Sequence, residues 1–308
     1  MVAVTSNNRS SAPAAMPAPD GHALELPAVD GVPLAARYFA PHGSPGQARG
    51  SALIVPAMGV AQAFYAPFAA WLAELGLHAM TFDYRGTGLS RRGSLRKVDA
   101  DVVTWARLDA TAVLRALEDR APDLPINWIG HSLGAQIIPF VPDHRTLAKI
   151  ITIGAGSGYW RDNTPALRRK VLVMWYGAVP LLTPVFGYFP GKRLRMVGDL
   201  PAGVIRQWRR WCLDPEYAVG VEGPAVRELF ARVTTPITAV SFTDDEMMSA
   251  RSTESLHGFY TGAPQTARRL APRDLGLARI GHFGGFRPAM RDALWEGVLR
   301  SELALAPR

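Results

Sequence analysis

The chain has 308 residues, of which 48% are hydrophobic and 19% are charged, and its formal net charge is +8. These values are typical of a soluble globular enzyme built as one large domain or two small ones. The arginines are scattered and no long run interleaves basic with aromatic residues, which argues against a nucleic-acid-binding protein. The single cysteine, Cys212, excludes an intramolecular disulfide and a cysteine-based metal cluster.

Two segments bear on where the protein is located. Residues 1–22 are rich in Ala, Pro, Ser and Asn and lack the basic start and apolar centre of a signal peptide, so we predict a disordered tail. Residues 171–190 are uncharged and could cross a bilayer, but they contain three prolines and have basic residues at both ends. We expect this segment to be a buried part of a cap, without stable membrane insertion, in a cytoplasmic protein.

Hydrophobic periodicity and turn residues predict the elements between residue 23 and the C-terminal region. In chain order they are an antiparallel hairpin at 23–40 around Asp30-Gly31, a strand at 52–55, a helix stopped by Gly76, a strand at 77–82, a helix at 102–117, a strand leading from Ile126 to Ser132, strands at 149–153 and 237–242, and helices at 253–259 and 290–303.

Strands that alternate with amphipathic helices predict an α/β fold, a mostly parallel sheet with helices on both faces, because parallel neighbours need a crossover connection. The alternation is interrupted at residues 159–227, a stretch rich in tryptophan and tyrosine that we predict to be a helical cap insertion. The two core segments are then 23–158 and 228–308. Active sites of such sheets lie at the carboxyl ends of the strands.

A G-x-S-x-G pattern occurs at Gly130-His131-Ser132-Leu133-Gly134, after a short apolar run. A serine at the tip of a strand-to-helix turn is held in a strained conformation, where flanking side chains would clash. Its hydroxyl can attack a carbonyl, and the amide of Leu133 can then receive the developing oxyanion. The pattern is also compatible with an ordinary tight turn before a helix.

Ser132 would need a histidine as base and a carboxylate that fixes the histidine tautomer. Of the seven histidines, His131 faces away from the serine side chain, and only His282 lies in a glycine-flanked loop after the last strand. The strand at 237–242 delivers three acids, Asp244, Asp245 and Glu246, before His282 in the chain. Two of the three acids are expected to cap the next helix.

These residues resemble the α/β-hydrolase superfamily of serine hydrolases, and the resemblance extends from about residue 23. The segment Asp83-Tyr84-Arg85-Gly86-Thr87-Gly88-Leu89-Ser90 is similar to a loop in which Asp and Arg brace the structure. The run 245–249 is similar to the stretch around the superfamily's acid, which favours Asp245 over Asp244. The resemblance implies a Ser132, His282 and Asp245 triad and no cofactor.

The chain departs from the superfamily pattern at two places. Pro56-Ala57 replaces the common His-Gly pair after the third strand, so we assign the first oxyanion donor to the amide of Met58, because proline has no N–H. Pro139 follows the elbow closely and should shorten or kink the helix there.

The predicted function is hydrolysis of an ester, thioester or related acyl bond through an acyl-enzyme. Trp208 and Trp211 are candidate substrate-binding residues in the cap, and the expected partner is a small acyl substrate of apolar character. The same tryptophans could equally attach the cap to the sheet. An acyltransferase, a peptidase or a non-catalytic ligand-binding receptor on the same fold are the alternatives. No metal site is predicted.

Overall fold

The computed structural model describes residues 21–43 and 46–307. The strands are β1 (His22–Pro27), β2 (Pro33–Phe39), β3 (Gly50–Val55), β4 (Leu77–Phe82), β5 (Ile126–His131), β6 (Leu147–Ile153), β7 (Tyr188–Pro190), β8 (Asp199–Pro201), β9 (Ile237–Phe242) and β10 (Gln265–Leu270). The α-helices are α1 (Ala66–Glu74), α2 (Val102–Thr104), α3 (Thr111–Glu118), α4 (Leu133–Gln136), α5 (Pro165–Val173), α6 (Val179–Phe186), α7 (Ala202–Leu213), α8 (Tyr217–Glu222), α9 (Pro224–Ala231), α10 (Ala250–His257), α11 (Gly281–Gly284) and α12 (Arg300–Glu302).

Other helical segments extend or connect these elements. Wider π-helical segments join α2 to α3, join α5 to α6 and precede α12, at Trp105–Ala110, Met174–Ala178 and Arg291–Leu299. Short 3-10 turns lie at Gln62–Tyr65, Gly88–Ser90, Leu95–Lys97, Ile138–Phe140, His144–Thr146, Pro272–Leu275 and Pro288–Met290.

Eight strands form one sheet in the order β1-β2-β4-β3-β5-β6-β9-β10. The strands from β4 to β10 in this order pair in parallel, and β2 is antiparallel to both its neighbours. Alternate side chains enter two cores. In β3, Leu53 and Val55 pack on the α3 face, whereas Ala52 and Ile54 pack on the face covered by α1 and the C-terminal helix. The predicted parallel sheet with both faces covered is therefore confirmed.

The helix after β5 is short, as Pro139 predicts. The α4 helix ends at Gln136, and the chain continues as the 3-10 turn Ile138–Phe140. Proline lacks the amide hydrogen that an α-helix interior requires, so the regular helix cannot continue through this position.

The predicted insertion corresponds to the region between β6 and β9, which contains α5 to α9 and the β7–β8 hairpin. Its last helix, α9, runs to Ala231 and so passes the predicted boundary at residue 227. The tail predicted at residues 1–22 overlaps the described residues only at Gly21 and His22. His22 already belongs to β1, where it pairs with Tyr38, and residues 1–20 lie outside the described residues.

The segment 171–190 differs from the expectation that it is buried. Its residues 171–186 form a surface helix on which Val173, Tyr176, Leu181 and Val185 are exposed, and its last residues form the strand β7. A single helix on a globular surface can bury only one of its faces. Because this helix is apolar on both the inner and the outer face, its outer apolar side chains remain exposed. Within the described residues, no helix has the length and apolar character needed to cross a bilayer.

Candidate active site

Ser132 lies between β5 and α4 with φ 50° and ψ −109°, a conformation that few residues with side chains adopt. The flanking glycines are required by space. A Cβ on Gly130 would lie 2.6 Å from the carbonyl oxygen of Gly134, and one on Gly134 would lie 2.1 Å from the carbonyl oxygen of Val55. The steric argument for the G-x-S-x-G pattern is therefore confirmed, and the pattern forms a strand-to-helix elbow.

Asp245 and His282 meet at the carboxyl ends of the neighbouring strands. The imidazole Nδ1 lies 3.0 Å from Oδ2 and 3.2 Å from Oδ1 of Asp245, and both side chains are buried. Oδ1 also accepts hydrogen bonds of 2.8 Å from the amides of Met247 and Met248. This arrangement places the proton on Nδ1 and leaves Nε2 available as a base.

The third member of the predicted triad is not hydrogen-bonded to the other two. The residue Ser132 is partly exposed, and among the described residues neither its hydroxyl nor His282 Nε2 has a hydrogen-bond partner. Nucleophile–base contacts are often loose in enzymes without substrate and tighten in the reactive complex. The structure thus brings Asp245 to His282 and leaves the serine–histidine contact open.

Asp244 and Glu246 hold the backbone around His282. Asp244 Oδ2 accepts from the amides of Ile280 and Gly281 at 2.8 and 3.1 Å, and Glu246 Oε2 accepts from the amide of His282 at 3.0 Å. The expectation that two of these acids cap the next helix is wrong. The cap of α10 is Ser249, whose side chain accepts from Ser252, because it is the residue directly before the helix.

The two predicted oxyanion donors lie in the loop after β3 and at the start of α4. In the first loop, the amide of Ala57 is engaged by Tyr65 Oη at 2.9 Å, so it cannot serve as a donor. Among the described residues, the amides of Met58 and Leu133 make no hydrogen bond. The elimination of Ala57 supports the prediction of Met58.

A buried chain of hydrogen bonds connects three loops of the site. Tyr65 Oη lies 2.8 Å from Nδ1 of His131, and His131 Nε2 lies 3.1 Å from the carbonyl oxygen of His282. Since Tyr65 accepts from Ala57, its hydroxyl donates to His131, which then donates from Nε2. Burial, and to a lesser extent the nearby His282, holds the pKa of His131 well below its usual range, so this ring stays neutral.

Sequence reasoning missed this chain of contacts. It placed His131 away from the serine side chain, which the structure confirms, but it assigned no role to Tyr65. The only local signal is an aromatic residue next to the apolar stripe of the following helix. That signal does not distinguish a hydrogen-bonded tyrosine from a core residue.

The loop after β4 is braced as its motif predicts. Asp83 accepts from the amides of Gln62 and Leu89 at 2.8 and 2.9 Å. The guanidinium of Arg85 bonds to Asp109 at 2.7 Å and to Asp30 at 2.7 and 2.8 Å. In the described residues, neither Asp83 nor Arg85 is hydrogen-bonded to Ser132, Asp245 or His282.

The insertion contacts three segments that carry candidate site residues: the acidic turn after β9, the helix α4 and the loop after β3. Thr164 donates to the carbonyl oxygen of Glu246 at 2.6 Å, and Tyr217 donates to Gln136 on α4 at 2.7 Å. Gly198 approaches Gly59, next to Met58, so closely that a Cβ on Gly59 would lie 2.7 Å from the Gly198 nitrogen. The insertion is therefore packed against the site from several directions.

The two candidate tryptophans have different environments. Trp211 is fully buried, stacks on Phe140 at a centroid distance of 5.8 Å and donates to Glu222 at 2.7 Å. Trp208 is partly exposed, lies edge-on to Trp175 at 5.0 Å and donates to Tyr217 at 3.2 Å. This difference favours a packing role for Trp211 and leaves an accessible surface on Trp208.

Comparison with known proteins agrees with this architecture. Residues 46–193, just under half of the chain, match the family model described as serine aminopeptidase, S33. No curated protein matches the chain significantly. A soluble variant of the monoglyceride lipase from Saccharomyces cerevisiae has a TM-score of 0.59 at 16% identity, with coverage of 82% of this chain and 85% of that one.

Two further solved structures show the same likeness. A highly thermostable carboxyl esterase from Bacillus coagulans gives a TM-score of 0.59 at 16% identity, covering 92% of this chain and 97% of its own. DcsB gives 0.56 at 14% identity, covering 92% and 100%. With the eight-stranded sheet and the elbow, these matches show that the chain has the α/β-hydrolase fold.

Proposed function

We propose that the chain is a serine hydrolase that cleaves an ester, thioester or related acyl bond. The observation that carries the proposal is the buried Asp245–His282 pair, with 3.0 Å between Oδ2 and Nδ1, beside a serine held at positive φ. The hydrolase family model over residues 46–193 and the esterase and lipase among the structural neighbours support the same reaction class.

In the proposed reaction, His282 Nε2 takes the proton of Ser132 while the serine oxygen attacks the acyl carbon. This step requires the serine and imidazole to come within hydrogen-bond distance when substrate binds. The amides of Met58 and Leu133 then stabilise the oxyanion, and His282 returns the proton to the leaving group. Water, deprotonated by His282, attacks the acyl-enzyme and releases the acid.

A second candidate is an aminopeptidase, which the name of the matching family model favours. Such an enzyme needs a free carboxylate to bind the α-ammonium group of its substrate. Every acidic side chain of the predicted cap already has a partner. Asp162, Asp199 and Glu216 form ion pairs with Arg251, Arg91 and Arg227 in that order. Asp214 accepts from the backbone amide of Glu216, and Glu222 accepts from Trp211. We therefore favour an ester or thioester over an aminoacyl amide.

The proposal is tested with a fluorophosphonate probe, which reacts with activated serines. We expect a single labelled residue, Ser132, and no labelling of Ser132→Ala. The kcat for a p-nitrophenyl ester should fall on the order of 10⁶-fold in that variant. Ser301→Ala, which changes an exposed helical serine, is the matched control.

Two outcomes would decide against the proposal. Undiminished labelling of Ser132→Ala would assign the nucleophile elsewhere. Absence of both labelling and turnover in the folded wild-type protein would indicate a ligand-binding receptor. An aminoacyl p-nitroanilide, assayed beside the esters, distinguishes the aminopeptidase.

A further inference from the structure

The helix that runs from α5 through Met174–Ala178 to α6 lies on the surface of the insertion. One face of this helix packs inward through the buried side chains of Val171, Met174, Trp175, Val179 and Thr183. Because this face belongs to the protein core, the helix cannot leave the protein to span a bilayer.

The opposite side, here called the outer face, consists of Val173, Tyr176, Leu181 and Val185. These side chains are between 61% and 71% exposed, and Pro180 and Pro184 between them are exposed as well. Seven large hydrophobic side chains are exposed in the described residues, and five of them, the four named here and Met196, lie within residues 173–196. Clustered exposed apolar side chains of this kind mark a binding surface.

The surroundings of the outer face are strongly basic. Residues 165–198 contain no Asp or Glu, and their exposed cations are Arg168, Arg169, Lys170, Lys192, Arg193 and Arg195. Cations also lie directly beside aromatic rings of this helix. The guanidinium of Arg209 is 5.7 Å from the ring centre of Tyr176, and that of Arg193 is 5.6 Å from the ring centre of Phe186.

We propose that the outer face binds the surface of an anionic lipid bilayer. The apolar side chains would enter the boundary between headgroups and acyl chains, and the cations at both ends would pair with lipid phosphates. A second copy of the chain fits this face poorly, since a symmetric contact would place the six cations of one copy against those of the other.

The proposal is tested by sedimentation of the full chain with vesicles. The Ser132→Ala protein is used, so that binding is measured without hydrolysis and independently of the proposed function. We expect binding to vesicles of phosphatidylcholine mixed with phosphatidylglycerol and much weaker binding to phosphatidylcholine alone. Raising the salt from about 0.1 M to about 1 M, which shortens the screening length from about 10 Å to about 3 Å, should release most of the protein.

Two sets of variants separate the apolar from the electrostatic contribution. Leu181→Asp with Val185→Asp should lower partitioning at least about tenfold, because two carboxylates would enter the interface. Leu89→Asp with Val29→Asp is the matched control, since these exposed side chains lie outside the face. Replacing Arg168, Arg169 and Lys170 by Gln should weaken binding by about fivefold per charge.

Three results would overturn the proposal. The first is equal affinity for the two kinds of vesicle at low salt. The second is an equal loss of binding in the Leu181→Asp/Val185→Asp variant and in its matched control. The third is a wild-type dimer by light scattering that the same variant dissociates, which would assign the face to a second copy. Thermal unfolding of each variant verifies the fold, and the Gln variant provides a separate test if the Asp variant unfolds.

Discussion

Three consecutive acidic residues hold the His282 segment through different groups. Asp245 bonds the imidazole, whereas Asp244 and Glu246 bond the amides of residues 280–282. The resemblance of the 245–249 run predicts which acid meets the imidazole, and the structure places Asp245 there. It does not predict the neighbours, because their partners are some 36 residues further along the chain and are brought near only by folding.

At the residue scale, the first prediction concerns the choice of acid. Asp245→Asn should lower kcat by about 10⁴-fold, because the amide group favours the histidine tautomer with the proton on Nε2. Asp244→Asn keeps an oxygen that can accept from Ile280 and Gly281, so we expect at most about a tenfold loss. Both variants should unfold near the wild-type temperature.

The measurement is kcat on a soluble p-nitrophenyl ester, with calorimetric unfolding of each variant. Asp123→Asn, at an exposed position, is the control for the chemical change itself. If Asp244→Asn were the more damaging variant, the acid would be Asp244 and the assignment of Asp245 would be wrong by one residue.

The hydrogen-bonded chain from Ala57 through Tyr65 and His131 to the His282 carbonyl shows the limit of residue-level reasoning. Strand alternation correctly predicts that His131 points away from the side chain of Ser132. What it meets there depends on the packing of the turn Gln62–Tyr65 against the sheet, which no local pattern in the sequence encodes.

At the scale of elements, the central strands are the most predictable parts. Strands β4 and β9 have the predicted bounds, because buried apolar runs flanked by turn residues fix both ends. The helix at 171–186 is the opposite case. Its sequence is apolar on every side, so periodicity alone cannot show which side is covered, and the prediction of a buried segment holds for only one face of the helix.

The tryptophans of α7 give a prediction about the pocket. If the insertion covers Ser132 as an apolar cap, kcat/KM should rise from acetate toward octanoate esters. Each methylene removed from water should lower the free energy of the transition state by about 0.8 kcal/mol. Trp208→Ala should change this chain-length profile, because its indole is partly exposed. Trp211→Phe should lower the unfolding temperature and leave the profile unchanged, because Trp211 is fully buried.

The profile is measured with p-nitrophenyl esters of increasing acyl length for the wild-type protein and both variants. A flat wild-type profile would contradict an apolar pocket and point to a small or polar acyl group. A profile altered by Trp211→Phe and not by Trp208→Ala would reverse the assignment of packing and binding roles.

At the scale of the whole molecule, the fold and the site were predictable to different degrees. Alternating strands and helices predict the covered parallel sheet, and the order of Ser132, Asp245 and His282 follows from it. The placement of the insertion was not predictable, because its contacts with Glu246, Gly59 and Gln136 join segments far apart in the chain. The basic segment at 165–198, which contains no Asp or Glu, was also not predicted, because arginines occur throughout the chain.

The backbone conformation of Ser132 lowers the stability of the whole protein, and the proposed function gives a reason for this cost. A side chain at φ 50° and ψ −109° costs about 1–3 kcal/mol, and glycine removes this cost while losing about 0.5–1 kcal/mol through its greater freedom in the unfolded chain. We expect Ser132→Gly to raise the unfolding temperature above that of Ser132→Ala, by about 2 °C for each kcal/mol gained. Calorimetry of the two variants measures this, and an Ala variant as stable as the Gly variant would show that the strain at the elbow does not exceed the entropic cost of the glycine. If the proposed function is correct, selection for stability alone would favour glycine at this position, and the requirement for a hydroxyl nucleophile would keep a serine there.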